Sequence, residues 1–257
     1  MKPTARSAYQ EVAALIRSRI EDGTYPRGSR LPTEEQWADE FGYTRVTINA
    51  ALRVLANEGL VIRARKRGTF VRPIDPIVRR SGARHLKQAR ERGGAHGAFD
   101  AELAERGYTY RPADTDIRRD RPPALVAELL DVPADEASTV VRDRRMSIIY
   151  AHNQPAVPYQ IATTWIPLDI AGDTAIEQQD TGVGGISSRL EELGFEQVRF
   201  PERIRTRPPS SAEAHFLEIS EEQLVDEILH RGVTAEGRVV KVTMFVIPTH
   251  LVIHEIE

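Results

Sequence analysis

From Tyr9 onward, the apolar residues Tyr9, Val12, Ala13, Ile16 and Ile20 recur three or four positions apart, the spacing of one buried helix face. Gly23, Pro26 and Gly28 then end that pattern. In LPTEEQWADEFG, Thr33 stands three residues before Gln36, a capping-box spacing, and Glu34 and Glu35 sit where a helix dipole favours negative charge. Trp37, Ala38 and Phe41 supply the buried side of this short second helix, and Gly42 suits its cap. Thr44 can cap a third helix whose stripe is Ile48, Ala51, Leu52 and Leu55. At about 100° per residue, Arg45, Asn49 and Arg53 share one outward strip, flanked by Val46 and Ala50. Two short β-prone runs, 60–62 and 69–71, then enclose a turn containing Arg65, Lys66, Arg67 and Gly68. Three helices followed by a basic hairpin predict a winged helix-turn-helix over residues 1–73.

Residues 74–96 mix Pro, Gly and basic side chains with little apolar periodicity and read as a linker, either a solvated tether or a basic contact to DNA backbone. From 97 to 257, short helix patterns (FDAELAERG, PPALVAELLDVP, and around 186–193 and 211–217) alternate with β-like runs at 138–149, 159–166, 198–206 and 239–247. EGR at 236–238 makes a hairpin turn. Long strands joined by hairpins and occasional helices predict an antiparallel α+β domain.

Charge divides the same way. The 257-residue chain carries only −3 overall, but residues 1–80 hold 15 Lys+Arg against 9 Asp+Glu, or +6, which leaves −9 for the rest. A basic front and an acidic back point to a polyanion binder joined to a module with a different partner. No apolar run approaches the roughly 20 residues that cross a bilayer, no secretory h-region is present and Cys is absent. A cytoplasmic protein without disulfides is the expectation.

In a helix that crosses its predecessor after a tight turn, Arg45 can pair with guanine and Asn49 with adenine in a major groove. Val46 and Ala50 permit close approach, and the wing tip would rest on phosphates or in the minor groove. The competing reading is a small core with a solvated charged face; the absence of acidic residues from the exposed side between Arg45 and Asn57 favours DNA.

These residues resemble the GntR transcription regulators: Gly23 and Gly28, LPTE at 31–34, WADEFG at 37–42, TRVTINAAL at 44–52, NEGLV at 57–61 and RGTFV at 67–71. The resemblance implies that Arg45 reads a base and Thr47 supports the helix start. Asn49 stands where the family's recognition segment has its second arginine, so an altered operator is expected. Candidate DNA-contacting residues are Thr33, Thr44, Arg45, Thr47, Asn49, Arg53, Arg65, Lys66, Arg67 and Gly68.

The second half contains no G-x-S-x-G, H-E-x-x-H or P-loop, so no catalytic residue, metal or cofactor is assigned. GVGG at 182–185 could open a helix toward an anion, and His250 and His254 read as surface residues before they read as ligands. In VVRDRR, Arg142 and Arg144 project to one side of a strand and require anions, either protein carboxylates or a ligand's charged group. Arg203, Arg205 and Arg207 leave the same choice.

The order of motifs resembles the HutC branch of the GntR family, whose second half is a UTRA effector-binding domain of chorismate-lyase-like fold. GAFDAELAERG at 97–107, PYQIATTWIP at 158–167, GGISSRLEELG at 185–194, ERIRTRPPSSAEA at 202–214 and EGRVVKVTMFVIP at 236–248 carry it. It implies a small, often anionic effector held by Ala98, Phe99 and Asp100 with Arg142 and Arg144, and by Gln160, Thr164, Ser187 and Thr243. Lys241 stands where many relatives have a glutamate, which departs from their usual sugar-phosphate ligands. The expectation is a homodimeric repressor on a double-stranded operator, released by that effector. The alternatives are a constitutive repressor whose second half only dimerises and a lyase-like enzyme tethered to DNA.

Overall fold

The computed structural model describes residues 7–64, 68–111, 115–152 and 156–255. They form two compact units: one reaches Pro76 and takes in Glu218–Gln223, and the other begins at Ile77, runs to Leu217 and resumes at Leu224.

The first unit contains α1 (Ala8–Glu21), α2 (Glu34–Phe41), α3 (Arg45–Asn57), β1 (Val61–Ala64) and β2 (Gly68–Val71). Thr33 closes the capping box: its hydroxyl accepts from the Gln36 amide at 3.3 Å, and its own amide donates to Gln36 Oε1 at 2.8 Å. Thr44 starts α3 by accepting from the Thr47 amide. Val12, Ile16, Leu31, Trp37, Ile48, Leu52, Leu55, Val61 and Val71 form the core, with Trp37 stacked on Phe41 at 4.8 Å. Strands β1 and β2 pair antiparallel, Ile62 opposite Phe70. Residues 65–67, to which Arg65, Lys66 and Arg67 were assigned as the wing tip, lie outside the described residues.

The second unit comprises β3 (Ile77–Arg80), α4 (Lys87–Arg90), α5 (Ala98–Ala104), β4 (Thr109–Arg111), β5 (Thr115–Asp120), α6 (Ala124–Leu130), β6 (Thr139–Ile149), β7 (Val157–Pro167), α7 (Leu168–Ala171), α8 (Gly185–Glu192), β8 (Glu202–Arg207), α9 (Ser211–Leu217), β9 (Val225–Val233), β10 (Val239–Pro248) and β11 (Val252–Glu255). Its antiparallel sheet runs β4-β6-β7-β10-β9-β8, and β5 pairs with β6 beyond β4. One face carries Val140, Ile166 and Val240 against Ile170, Ile186 and Leu190 of α7 and α8, while Val242 and Leu229 pack against Val126 and Leu130 of α6. A bulge between Val239 and Lys241 lets both Val240 and Lys241 face α8.

The stretch 74–96 is not a tether. From Ile77 it belongs to the second unit: β3 pairs parallel with β11, and Arg79, Arg84, His85 and Arg90 are buried. Its apolar periodicity is weak because three of its buried side chains are arginines, paired with carboxylates outside the stretch: Glu202 for Arg79, Glu102 for Arg84 and Glu191 for Arg90. Strand β9 was missed for the same reason, since Asp226, Glu227 and His230 interrupt its apolar run and pair with Thr206, Arg207 and Glu202. Strand β8 begins four residues later than expected, at Glu202.

Arg79 grips Glu202 through two bonds of 2.5 Å, and Nδ1 of His230 lies 3.0 Å from the same carboxylate. His85 stacks on Phe200 at 4.9 Å and lies 4.2 Å from the His230 ring. His85, Glu202 and His230 converge closely enough to suggest a metal. Both Glu202 oxygens are already taken by Arg79, however, and the surrounding Arg84 and Lys241 are cationic, so the cluster is an ion-pair network.

Burial would raise the Glu202 pKa, but His230 and Arg79 outweigh it and hold the carboxyl at about 2. Burial pushes His230 down to about 4. In both cases the unfolded chain binds more protons, so stability rises with pH. The His230 contribution is complete above pH 6.5 and is lost as pH falls through 4; that of Glu202 is complete above 4.5 and is lost on falling through 2. Denaturant melts of the full chain should therefore weaken steadily below pH 6.5, and His230→Phe should flatten the upper part of that slope. A flat profile in the wild type would contradict the network.

Candidate functional site

On the first unit, Arg45 and Arg53 are exposed on α3, and Val46 between them is 80% exposed, an apolar side chain presented to solvent. Asn49 is tied down: its Nδ2 donates to Glu34 Oε1 at 2.7 Å, and Arg63 of β1 donates to the same oxygen at 2.8 Å. One amide hydrogen is thus committed to α2, leaving the Asn49 carbonyl and its other hydrogen. Thr44 and Thr47 share a 3.0 Å hydroxyl contact at the helix start, and the Thr33 hydroxyl is held by its cap. Arg30, Thr33, Glu34, Arg45, Arg63 and Gly68 border one concavity between α2, α3 and the wing. Arg30 from the loop before α2, Arg45 from α3 and Arg63 from β1 face a common space there, with Arg63 paired to Glu34.

In the second unit, the face of β6, β7 and β10 beneath α8 borders a cavity of about 160 Å³. All nine residues singled out in the sequence, Ala98, Phe99, Asp100, Arg142, Arg144, Gln160, Thr164, Ser187 and Thr243, line it. Register explains the convergence: Arg142 pairs with Thr164, and Thr164 with Thr243, so side chains from three strands meet on one face. Gly184 and Gly185 bring α8 against the 95–97 segment. A Cβ on Gly185 would lie 2.8 Å from the His96 carbonyl oxygen, so the approach requires glycine.

The two arginines differ in what they hold. Arg142 donates to the carbonyls of Ile176, Gln178 and Gln179, at 2.6, 2.5 and 3.0 Å, and so holds the loop that precedes α8. It frames the cavity, whereas the expectation had it grip the ligand. Burial lowers its pKa to about 10, assisted by Arg144. Arg144 donates to the Thr164 hydroxyl at 3.3 Å, Thr164 and Thr243 share a 3.0 Å contact, and Gln160 donates to the Met146 sulfur. Among the described residues Arg144 has no carboxylate partner. Arg205 and Arg207, left open in the sequence, pair with Glu227 and Glu213.

Models of known families match both halves: the bacterial regulatory proteins of the gntR family over residues 8–71, and the UTRA domain over residues 105–252. The chain belongs to the GntR family and carries a UTRA domain. It is a DNA-binding transcriptional regulator with an effector-binding domain. An HTH-type transcriptional regulator of Streptomyces coelicolor is 28% identical over 237 residues, 91% of this chain and 86% of that protein. The histidine utilization repressor of Klebsiella aerogenes is 29% identical over 153 residues, 60% of this chain and 55% of its own. The crystal structure of PhnF from Mycobacterium smegmatis shares the fold, with a TM-score of 0.54 at 18% identity over 96% of this chain and 98% of that one. No helix among the described residues is long and apolar enough to cross a membrane.

Several residues that line the cavity are not legible as ligand candidates in the sequence: Arg84, His85 and Arg90 from the supposed linker, Tyr110 of β4, His230 of β9, and Lys241. Lys241 was legible as a departure from relatives, but nothing local showed that it points inward. Replacing Arg142 by Met leaves three carbonyls without their donor. It should destabilise the second unit by about 1–3 kcal/mol and speed amide exchange through residues 176–185, with exchange in the first unit unchanged. Unchanged exchange in that loop would remove Arg142 from its framing role.

Proposed function

We propose that the protein is a homodimeric repressor of a palindromic operator, released when a small anion enters the cavity of the UTRA domain. The observation that carries this reading is Arg144: a guanidinium facing the cavity that donates to the Thr164 hydroxyl, itself in contact with that of Thr243, and that has no carboxylate ion-paired to it among the described residues. An uncompensated cation in a cavity favours an anionic occupant, because burial without a counter-charge is costly. A single winged helix reads few base pairs, so two copies on paired half-sites supply the specificity that one lacks. The effector acts by binding better to a form of the dimer that does not fit the operator. The pocket is read as a sensor and not as an active site, because relatives that share both halves of the chain are named as transcriptional regulators.

On the DNA side, Arg45 reads a base and Arg53 holds phosphate. Asn49, oriented by Glu34, reads a neighbouring base in place of an arginine. Arg45→Ala should weaken specific binding by about 1–3 kcal/mol in a mobility shift on the protein's own upstream DNA, and an unaltered footprint would remove α3 from the interface. Across a panel of small anions, one compound should release the wild-type complex and fail to release Arg144→Met. A complex that no compound disturbs would instead favour the constitutive dimer.

A further inference from the structure

Lys241 of β10 is 5% exposed and lines the same cavity. Its Nζ donates to Ser187 Oγ on α8 at 2.7 Å, and among the described residues it has no carboxylate partner. An ammonium has three donors, so this buried head retains capacity for a ligand. The other lining cations are answered within the protein: Arg84 by Glu102 at 2.8 Å, Arg90 by Glu191, and Arg142 by three carbonyls. Of the acidic groups in the lining, Asp180 is largely exposed and engaged with the Gly182 amide and His96, and Asp100 accepts from the His96 amide. Two positive charges, Arg144 and Lys241, are therefore left over.

Register places them at opposite ends of a neutral centre. Thr164 pairs with Thr243; Arg144 pairs with Ala162, two residues along β7 on one side, while Lys241 lies two residues along β10 on the other. Each step of two residues spans about 6.6 Å of strand, so the two side chains enter from either end of the hydroxyl pair.

We infer that the effector is a small dicarboxylate, one carboxylate on Arg144 with Thr164 and the other on Lys241 with Ser187. The inference rests on the sensor reading above and names its ligand class. A monocarboxylate satisfies one cation only, and a phosphate group concentrates its charge at one end.

Occupancy also changes the state of Lys241. Burial, then Arg144, Arg90 and Arg84, bring its pKa down to about 7, and His85 and His230 face the same space. A carboxylate beside Nζ favours the ammonium, so above neutral pH binding takes up a proton and weakens as pH rises, by up to about tenfold per unit.

The test is calorimetry and thermal-shift titration of the full-length protein with succinate, glutarate, propionate and inorganic phosphate at pH 6.5 and 8.5. A dicarboxylate should bind at least tenfold more tightly than propionate or phosphate, with proton uptake at pH 8.5 shown by dependence on buffer ionisation heat. Lys241→Met, which removes a buried charge, should reduce dicarboxylate binding to the propionate level and abolish the pH dependence. Equal binding of propionate or phosphate, an undiminished dicarboxylate response in Lys241→Met, or no binding by either dicarboxylate would overturn the inference. Operator release by a different class of anion would overturn it while leaving the sensor reading in place. Dicarboxylate binding that never alters operator affinity would overturn the sensor reading and leave the site assignment standing.

Discussion

A cation removed from water must find a negative group or a set of carbonyl oxygens, and in the second unit this requirement determines much of the architecture. Arg79 ties β3 to β8 through Glu202, Arg84 ties the turn after β3 to α5 through Glu102, and Arg90 ties α4 to α8 through Glu191. Arg142 does the same for the loop before α8 by using peptide oxygens. These pairs are close to neutral in net stability against an apolar alternative, yet breaking one leaves a buried charge without its partner. They therefore fix which segments lie together more than they add to the stability of the fold. The cavity is what remains once each of these cations is satisfied, and its character follows from the two that are not.

The first unit is built on a different basis. Its arginines are mostly solvated, its core is apolar, and its polar contacts are caps and surface pairs. Glu34 does more than these: it sits in the first turn of α2 and receives both Asn49 from α3 and Arg63 from β1. One carboxylate thus connects the helix expected to enter the groove with the wing beside it. Where the resemblance to the GntR recognition segment implies a second arginine, this chain has a short amide held by a neighbouring helix.

How far the sequence could be read follows from this contrast. Helices α1 to α3 announce themselves because their caps and apolar stripes are local: Thr33 with Gln36, Thr44 with Thr47, and Ile48 with Leu52 and Leu55. The long strands β6, β7 and β10 were legible from their apolar runs, and the pocket residues on them came from matching motifs to relatives. What could not be read was non-local. Arg79, Arg84 and Arg90 look like a solvated basic stretch until Glu202, Glu102 and Glu191 are brought to them from remote positions. His230 and Lys241 could not be placed without knowing that β9 exists and that β10 bulges after Val239.

Arg142 also bears on how such a domain can diverge. It recognises Ile176, Gln178 and Gln179 only through their peptide oxygens, which every amino acid provides. Side chains in that loop can therefore be exchanged without loosening the arginine's hold, so the rim of the cavity is free to vary in chemistry while its frame persists. A lineage could retune what its regulator senses by changing side chains at the rim, leaving the strand that carries the arginine untouched.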